Sequence, residues 1–161
     1  MFSRSPNDGT VVTVYDRNNV AYINTVDDMK WTTVEIVPWY TGDVLIDLVF
    51  DDAGGGKVYC LDSHGVVRVL HIPAGGRNHP EPAVESSLSA PGAAVLAPPY
   101  NLARASNLFF CHGSLHQVWQ NGSGTVRSRN GSTMSEDEIF VLRYGRGRRQ
   151  DCWDKVKDLG G

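Results

Sequence analysis

The stretch from Asp43 to Ile72 constrains the fold more than any other part of the sequence. It reads DVLIDLVF, DDAGGG, KVYCLD, SHG and VVRVLHI. Its short apolar runs are rich in Val, Ile, Leu and Tyr, and turn-forming Gly, Asp and Ser separate them. Three consecutive glycines at 54–56 allow the positive φ angles of a tight turn. The pattern predicts a three-stranded antiparallel meander and contains no arrangement typical of catalysis.

The rest of the chain repeats this alternation of strand and turn signals. No apolar period of 3.6 residues persists for more than about two turns, so helix is not predicted. A Pro- and Gly-rich connection over 73–99 holds one weak edge strand at Ala83–Leu88, and 120–136 reads as a polar loop. Other strand signals lie at Thr10–Tyr15, Val20–Asn24, Trp31–Ile36, Ala105–Cys111, Leu115–Trp119, Asp137–Tyr144 and Cys152–Val156. About ten short strands indicate an all-β sandwich, barrel or propeller.

A weak internal repeat favours the propeller. Trp31-Thr-Thr-Val34 and Trp153-Asp-Lys-Val156 share a Trp-x-x-Val pattern, each closing a group of strands. Meanders of that size are typical of propeller blades of roughly 40–50 residues. The chain then holds about two to three blades, fewer than the roughly four to eight of closed rings. We expect an incomplete, all-β propeller over 10–161 and a flexible N-terminus over 1–9.

Net charge, the lengths of the apolar runs and the number of cysteines indicate which partners and which cellular compartment to expect. The 161 residues include 15 Lys and Arg against 18 Asp and Glu, a net charge of −3, so neither nucleic acid nor an anionic membrane is favoured. No apolar run approaches the ~18 residues of a membrane span, and the N-terminal MFSRSPNDG lacks a secretory apolar region. The odd, widely spaced Cys60, Cys111 and Cys152 are typical of reduced thiols. We expect an intracellular protein, cytoplasmic or nuclear.

Three motifs resemble chemical sites but have simpler interpretations. His112 and His116 are four residues apart, as in some zinc sites, yet Gly113-Ser114 at a predicted turn separates them and no further ligand follows at suitable spacing. Cys111 and His112 are neighbours that a strand points to opposite faces, which disfavours a nucleophile–base pair. The glycines at 54–56 lack the Lys-Ser/Thr of a phosphate loop. The sequence therefore predicts no metal, cofactor or catalytic residue.

Two short segments are candidates for a protein-binding surface. Trp39 is expected to pack between sheets with Trp31, Trp119 and Trp153. In the alternative, Trp39 and Tyr40 lie exposed in a loop after Pro38 and serve as binding anchors. Arg146, Arg148 and Arg149, with the nearby Arg143, form a basic cluster that suits an acidic peptide or a phosphate. A solvated turn is the simpler interpretation of that cluster.

Three stretches together resemble the plant KIB-type β-propeller domain, an F-box-associated domain of unknown function. The first is DLVFDDAGGGKVYCLD, which begins at Asp47 and resembles the characteristic sequence pattern of the family's blades. The second is APPYNL over Ala97–Leu102. The third is CWDKVKDLGG over Cys152–Gly161, which is similar to the family's Trp-x-x-Val-x-x-Leu-Gly signature.

The resemblance implies a non-enzymatic, protein-binding module like the substrate-recognition propeller of F-box-type ubiquitin-ligase receptors. Its partner would be an unidentified protein, and a ligase adaptor only if a longer gene product carries an F-box, because no F-box-like segment precedes Thr10. One alternative is a truncated remnant without independent function. Another is a sugar-binding or enzymatic propeller, for which the sequence offers no clustered carboxylate pair.

Overall fold

The computed structural model describes residues 2–4, 10–24, 30–38, 41–51, 53, 56–72, 82–88, 90–91, 96, 103–121, 126–127, 131, 133–134, 138–146 and 151–157. These residues form antiparallel strands and no α-helix. The first sheet contains β1 (Phe2–Arg4), β2 (Thr10–Val14), β3 (Asn19–Asn24) and β4 (Thr32–Glu35). The second contains β5 (Leu45–Phe50), β6 (Lys57–Asp62), β7 (Val67–His71) and β8 (Ala83–Leu88).

The third sheet has the order β9 (Arg104–Cys111), β10 (Ser114–Gln120), β13 (Ile139–Arg146) and β14 (Asp151–Lys155). Between β10 and β13, β11 (Val126–Arg127) and β12 (Thr133–Met134) pair as a separate hairpin. A small hairpin therefore lies within the segment predicted to be a polar loop. Among the described residues, the structure contains no helix long and apolar enough to cross a membrane.

The three sheets stack as propeller blades. Each is a four-stranded antiparallel meander, and the first strands of successive blades, β1, β5 and β9, lie against one another in order. The second sheet therefore lies between the other two. This arrangement confirms the prediction of an all-β, propeller-type chain, with three blades at the upper end of the predicted number.

Two apolar clusters join the blades. The first, between sheets one and two, includes Val12, Val20, Leu48, Phe50 and Val58. The second, between sheets two and three, includes Leu61, Val67, Leu108, Trp119, Leu142 and Trp153. Alternate residues of β6 serve different clusters, because Val58 and Cys60 face the first while Tyr59 and Leu61 face the second. A sheet buried on both faces needs nearly continuous apolar strands, which explains why Asp43–Ile72 dominates the sequence.

Two edge strands of the sheets bear on the sequence-based prediction. The weak edge strand predicted at Ala83–Leu88 is β8, which pairs with β7. The segment predicted to be a flexible N-terminus contains β1, whose residues Phe2–Arg4 pair with Val11–Thr13. The first sheet thus begins before Thr10.

The Trp-x-x-Val repeat has different geometry in its two copies. Residues three apart on a strand point to opposite faces, so only one of the Trp and the Val can face the core. In the first blade Val34 packs against the core and Trp31 is 50% exposed. In the third blade Trp153 is the buried member, with 4% exposure. The expectation that Trp31 packs between sheets is therefore wrong, whereas Trp119 and Trp153 do so.

Candidate functional site

The β2–β3 turn, the β4–β5 connection and the β6–β7 turn lie at one end of the sheets, which we call the linked end. Backbone hydrogen bonds join these segments across blades. Leu45 N donates to Arg17 O at 2.7 Å, and Ile36 N and Val37 N both donate to Asn18 O, at 2.9 and 3.1 Å. Ser63 N donates to Val44 O at 2.9 Å. The turns of the first two blades are therefore fixed to the connection between them.

Side chains strengthen the β2–β3 turn and its link to the connection. Asn18 Nδ2 donates to Val37 O at 3.1 Å. The Asp16 carboxylate accepts hydrogen bonds from Asn18 N and Asn19 N at 2.9 and 3.0 Å. The bond from Asn18, with that from the Asn19 side chain, lowers the pKa of Asp16. An Asp that accepts its own turn's N–H groups holds the backbone in a defined turn.

The β6–β7 turn carries an exposed imidazole. His64 Nδ1 lies 2.8 Å from Asp43 Oδ1 and 3.4 Å from Ser63 Oγ. In a Ser–His–Asp triad the carboxylate and the serine contact different ring nitrogens. Here both contact Nδ1, so His64 is not placed to remove a proton from Ser63 while Asp43 orients it. The arrangement ties the turn to the β4–β5 connection.

A buried carboxylate holds the same turn from inside. Asp62 Oδ1 accepts hydrogen bonds from His64 N and Val66 N at 2.9 and 3.0 Å. Its Oδ2 lies 3.5 Å from Arg68 Nη2, and that Oδ2 and Arg68 Nε have no hydrogen-bond partner among the described residues. Burial raises the pKa of Asp62, and the hydrogen bonds and Arg68 oppose that shift. Asp62 thus shapes the turn while its side chain is removed from solvent.

The third blade reaches the β6–β7 turn through Gln117. Its Nε2 donates to Gly65 O at 2.9 Å, and its Oε1 accepts from Trp119 Nε1 at 2.8 Å. Gly65 has φ +84°, and a Cβ there would lie 2.4 Å from Trp119 Cζ2. Only glycine fits between that backbone and the indole ring. The linked end therefore spans all three blades.

Deeper between the blades, Asp47 joins the first strands of the second and third sheets. Its Oδ2 accepts a 2.7 Å hydrogen bond from Leu108 N, and its Oδ1 accepts from Leu48 N. Burial raises the pKa of Asp47, and these bonds oppose the shift. Burial also raises the pKa of Cys60 to about 12, with a further contribution from Asp47. This thiol is a core group and not a nucleophile.

Several side chains at the linked end face solvent. Tyr15 is 66% exposed beside the turn that contains the exposed Arg17, and the His64 side chain is 69% exposed. Tyr and Arg are enriched among residues that dominate protein–protein binding energies. Exposed side chains on a rigid backbone form a surface suited to non-covalent recognition.

Of the five residues predicted to form a binding surface, the structure describes only Arg146. Trp39, Tyr40, Arg148 and Arg149 lie outside the described residues. Glu35 and Leu45, the strand ends that flank Trp39 and Tyr40, are at the linked end. Arg146 ends β13 opposite Asp151, at the other end of the sheets.

The two histidines considered as metal ligands have different environments. His112 is exposed in the β9–β10 turn with φ +50°, whereas His116 is buried in β10, stacked on Phe109 with ring centroids 5.0 Å apart. His116 Nδ1 lies 2.9 Å from Ser114 O. Within the described residues no group of three or more His, Cys, Asp or Glu side chains is arranged to hold a metal.

Comparison with protein families identifies the fold. The family described as KIB1-4 beta-propeller matches the chain over residues 1–161. The chain belongs to the KIB1-4 beta-propeller family. No curated protein and no solved structure matches it. In this KIB1-4 propeller chain, the linked end is the candidate functional site.

Sequence reasoning missed most residues of the linked end. The sequence pattern predicts Ser63-His64-Gly65 only as a turn and indicates no role for Asp47, Asp62 or Gln117. One signal was available: a Gln or Asp within an otherwise apolar strand that is buried on both faces needs a buried hydrogen-bond partner. The sequence alone does not show which partner it meets.

Proposed function

We propose that the chain is a non-enzymatic protein-binding module that recognises its partner at the linked end. The observation that carries the proposal is the hydrogen bonding of the β2–β3 turn, the β4–β5 connection and the β6–β7 turn across blades. A surface already ordered before binding loses less conformational entropy on association. Tyr15 and Arg17 are the exposed anchors of that surface.

The biological role we propose is substrate recognition for an F-box-type ubiquitin ligase, in the cytoplasm or nucleus. The family resemblance supports this role, and the free thiols of Cys60, Cys111 and Cys152 suit a reducing compartment. The adaptor of such a ligase would bind an F-box, and the propeller would bind the substrate. Copurification of a ligase adaptor with the full-length gene product tests this part. Its absence would contradict the ligase role without affecting the binding role.

The experiment on the binding role is affinity purification with matched variants. Tyr15→Ala and Arg17→Ala remove exposed side chains at the linked end, and Val84→Ala removes a side chain that is 42% exposed on the edge strand β8. We expect one specific partner to be retained by the wild-type and Val84→Ala chains and lost by the two linked-end variants. Equal retention by all four chains would contradict binding at the linked end.

A further inference from the structure

Arg17 is an exposed residue of the β2–β3 turn at the linked end. Within the part of the chain that the structure describes, no side chain forms an ion pair with it. Tyr15, two residues earlier, is 66% exposed. A guanidinium without an ion-pair partner can take up an anionic group of another molecule.

The backbone that carries Arg17 is fixed by hydrogen bonds. Leu45 N donates to Arg17 O at 2.7 Å, and Tyr15 N donates to Asn19 O at 3.0 Å across the turn. Only the side chains of Tyr15 and Arg17 therefore need to be ordered when a partner binds, which keeps the entropic cost of association low.

This turn stays accessible whatever the number of blades in the ring. Blades contact one another through the faces of their sheets, as the two apolar clusters show. Arg17 lies between the end of β2 at Val14 and the start of β3 at Asn19, and therefore outside those faces. Packing of a further blade on the first sheet uses its face and leaves the turn for other contacts.

Two carboxylates of the linked end are engaged within it. Asn19 Nδ2 donates to Asp16 Oδ1 and Oδ2 at 2.8 and 2.9 Å. Asp43 Oδ1 lies 2.8 Å from His64 Nδ1. Among the described residues of the three segments that form the linked end, Arg17 is therefore the exposed ionised side chain left without a polar partner. Charge complementarity with this cation requires an anionic group on the partner.

We propose that Arg17 binds the carboxylate of an acidic side chain of the protein partner, and that an apolar residue next to this side chain packs on Tyr15. The proposal rests on the binding role proposed for the linked end and specifies the chemistry of the partner. A guanidinium donates two parallel hydrogen bonds to a carboxylate, so both the charge and the shape of the group are selected. The ring of Tyr15 supplies apolar contact area at a low cost in side-chain entropy.

A carboxylate suits this surface better than a phosphorylated side chain. Phosphate recognition in proteins relies on clusters of arginines, whereas Arg17 is the single arginine of the three segments and His64 already contacts Asp43. A phosphate also carries about −1.5 to −2 charges, which the carboxylates of Asp16 and Asp43 repel more strongly than a single charge. The group that Arg17 recognises is therefore an acidic side chain.

NMR titration of the isotope-labelled chain with blocked pentapeptides tests the proposal. The peptides are identical except for a central Glu, Gln, Lys or phosphoserine, which stands between two leucines. We expect the Glu peptide to shift the amide resonances of Tyr15–Asn19 and to bind roughly tenfold or more tightly than the Gln peptide, because it adds a charge-assisted hydrogen-bonded pair. Arg17→Gln removes this preference. The matched control Arg143→Gln removes an exposed arginine of β13 and keeps the preference.

Tyr15→Ala separates the apolar contact from the charge. It weakens the Glu and Gln peptides by the same factor, because both carry the leucines, whereas Arg17→Gln weakens only the Glu peptide.

Equal affinities of the Glu and Gln peptides, or a preference for Glu that survives in Arg17→Gln, would overturn the proposal. Tighter binding of the phosphoserine or Lys peptide would also overturn it, as would the absence of any shift at Tyr15–Asn19 with all four peptides. The affinity purification with Tyr15→Ala and Arg17→Ala tests binding at the linked end separately. Loss of the partner from those two variants, together with equal affinities of the Glu and Gln peptides, would keep the binding role and reject the acidic side chain.

Discussion

Substitution of Gly65 by alanine probes the contact between the β6–β7 turn and the third blade. The new Cβ would lie 2.4 Å from Trp119 Cζ2, 2.9 Å from Cη2 and 3.3 Å from Pro91 Cδ. Since carbon atoms pack at about 3.5–4.0 Å, the indole must move by roughly 1 Å. Movement of the ring weakens its 2.8 Å hydrogen bond to Gln117 and disturbs the second apolar cluster.

The expected cost has three sources. A left-handed backbone at a non-glycine residue costs about 1–2 kcal/mol, overpacking about 1–3 kcal/mol and a lost buried hydrogen bond about 1 kcal/mol. We therefore expect Gly65→Ala to lower the free energy of unfolding by roughly 3–6 kcal/mol, and the melting temperature by about 10 °C or more.

Gly113 provides a matched control. Its φ is +70°, and no heavy atom lies within 4 Å of a Cβ built there. Gly113→Ala therefore adds backbone strain without a steric clash, at about 1–2 kcal/mol. Both substitutions reduce the entropy of the unfolded chain equally, so this effect cancels in the comparison. Urea unfolding monitored by tryptophan fluorescence measures both variants. Equal destabilisation would refute the packing of Trp119 against Gly65.

Three further predictions concern buried side chains of the second and third blades. Trp153→Ala removes a ring 5.2 Å from that of Tyr144 and is expected to cost about 3 kcal/mol or more in urea unfolding; an unchanged midpoint would contradict its core position. Asp47→Asn leaves one carbonyl oxygen for the two backbone N–H donors, Leu48 N and Leu108 N, so we expect a loss of about 1–3 kcal/mol by calorimetry at pH 7. A stabilised variant would show that the buried charge costs more than its hydrogen bonds contribute. Burial lowers the pKa of folded His116 below its unfolded value near 6.5, so the unfolded chain binds more protons and stability falls as pH drops below that value. His116→Gln should remove this part of the pH dependence between pH 7 and 5; identical profiles for the two chains would argue against it.

The fold could be predicted from the sequence because each strand and each turn is recognisable from a short stretch of neighbouring residues. Each strand ends at a turn-forming residue. The strands of the second sheet consist almost entirely of apolar residues because both faces of that sheet are buried. The exception, Trp31, shows where local reasoning fails. Trp-x-x-Val places its two apolar residues on opposite faces, and the pairing of β4 with β3, not the motif, decides which one is buried.

The candidate site did not follow from the sequence because it depends on contacts between distant segments. Gln117 meets Gly65 only because the third blade stacks on the second. Asp47 meets Leu108 for the same reason. Neither residue has a local signature that names its partner. Aromatic and basic residues such as Trp39 and Arg146 stand out in a sequence as candidate binding residues, whereas Asp62 and Gln117, which hold the β6–β7 turn, are buried.

Amide hydrogen exchange, measured on the chain alone and in complex with its purified partner, tests the binding role of the linked end most directly. Our account predicts slower exchange on binding at Tyr15–Asn18 and Ser63–Val66, with no change at His112–Gly113 in the turn at the opposite end. Slower exchange at His112–Gly113, with the two linked-end turns unchanged, would contradict it.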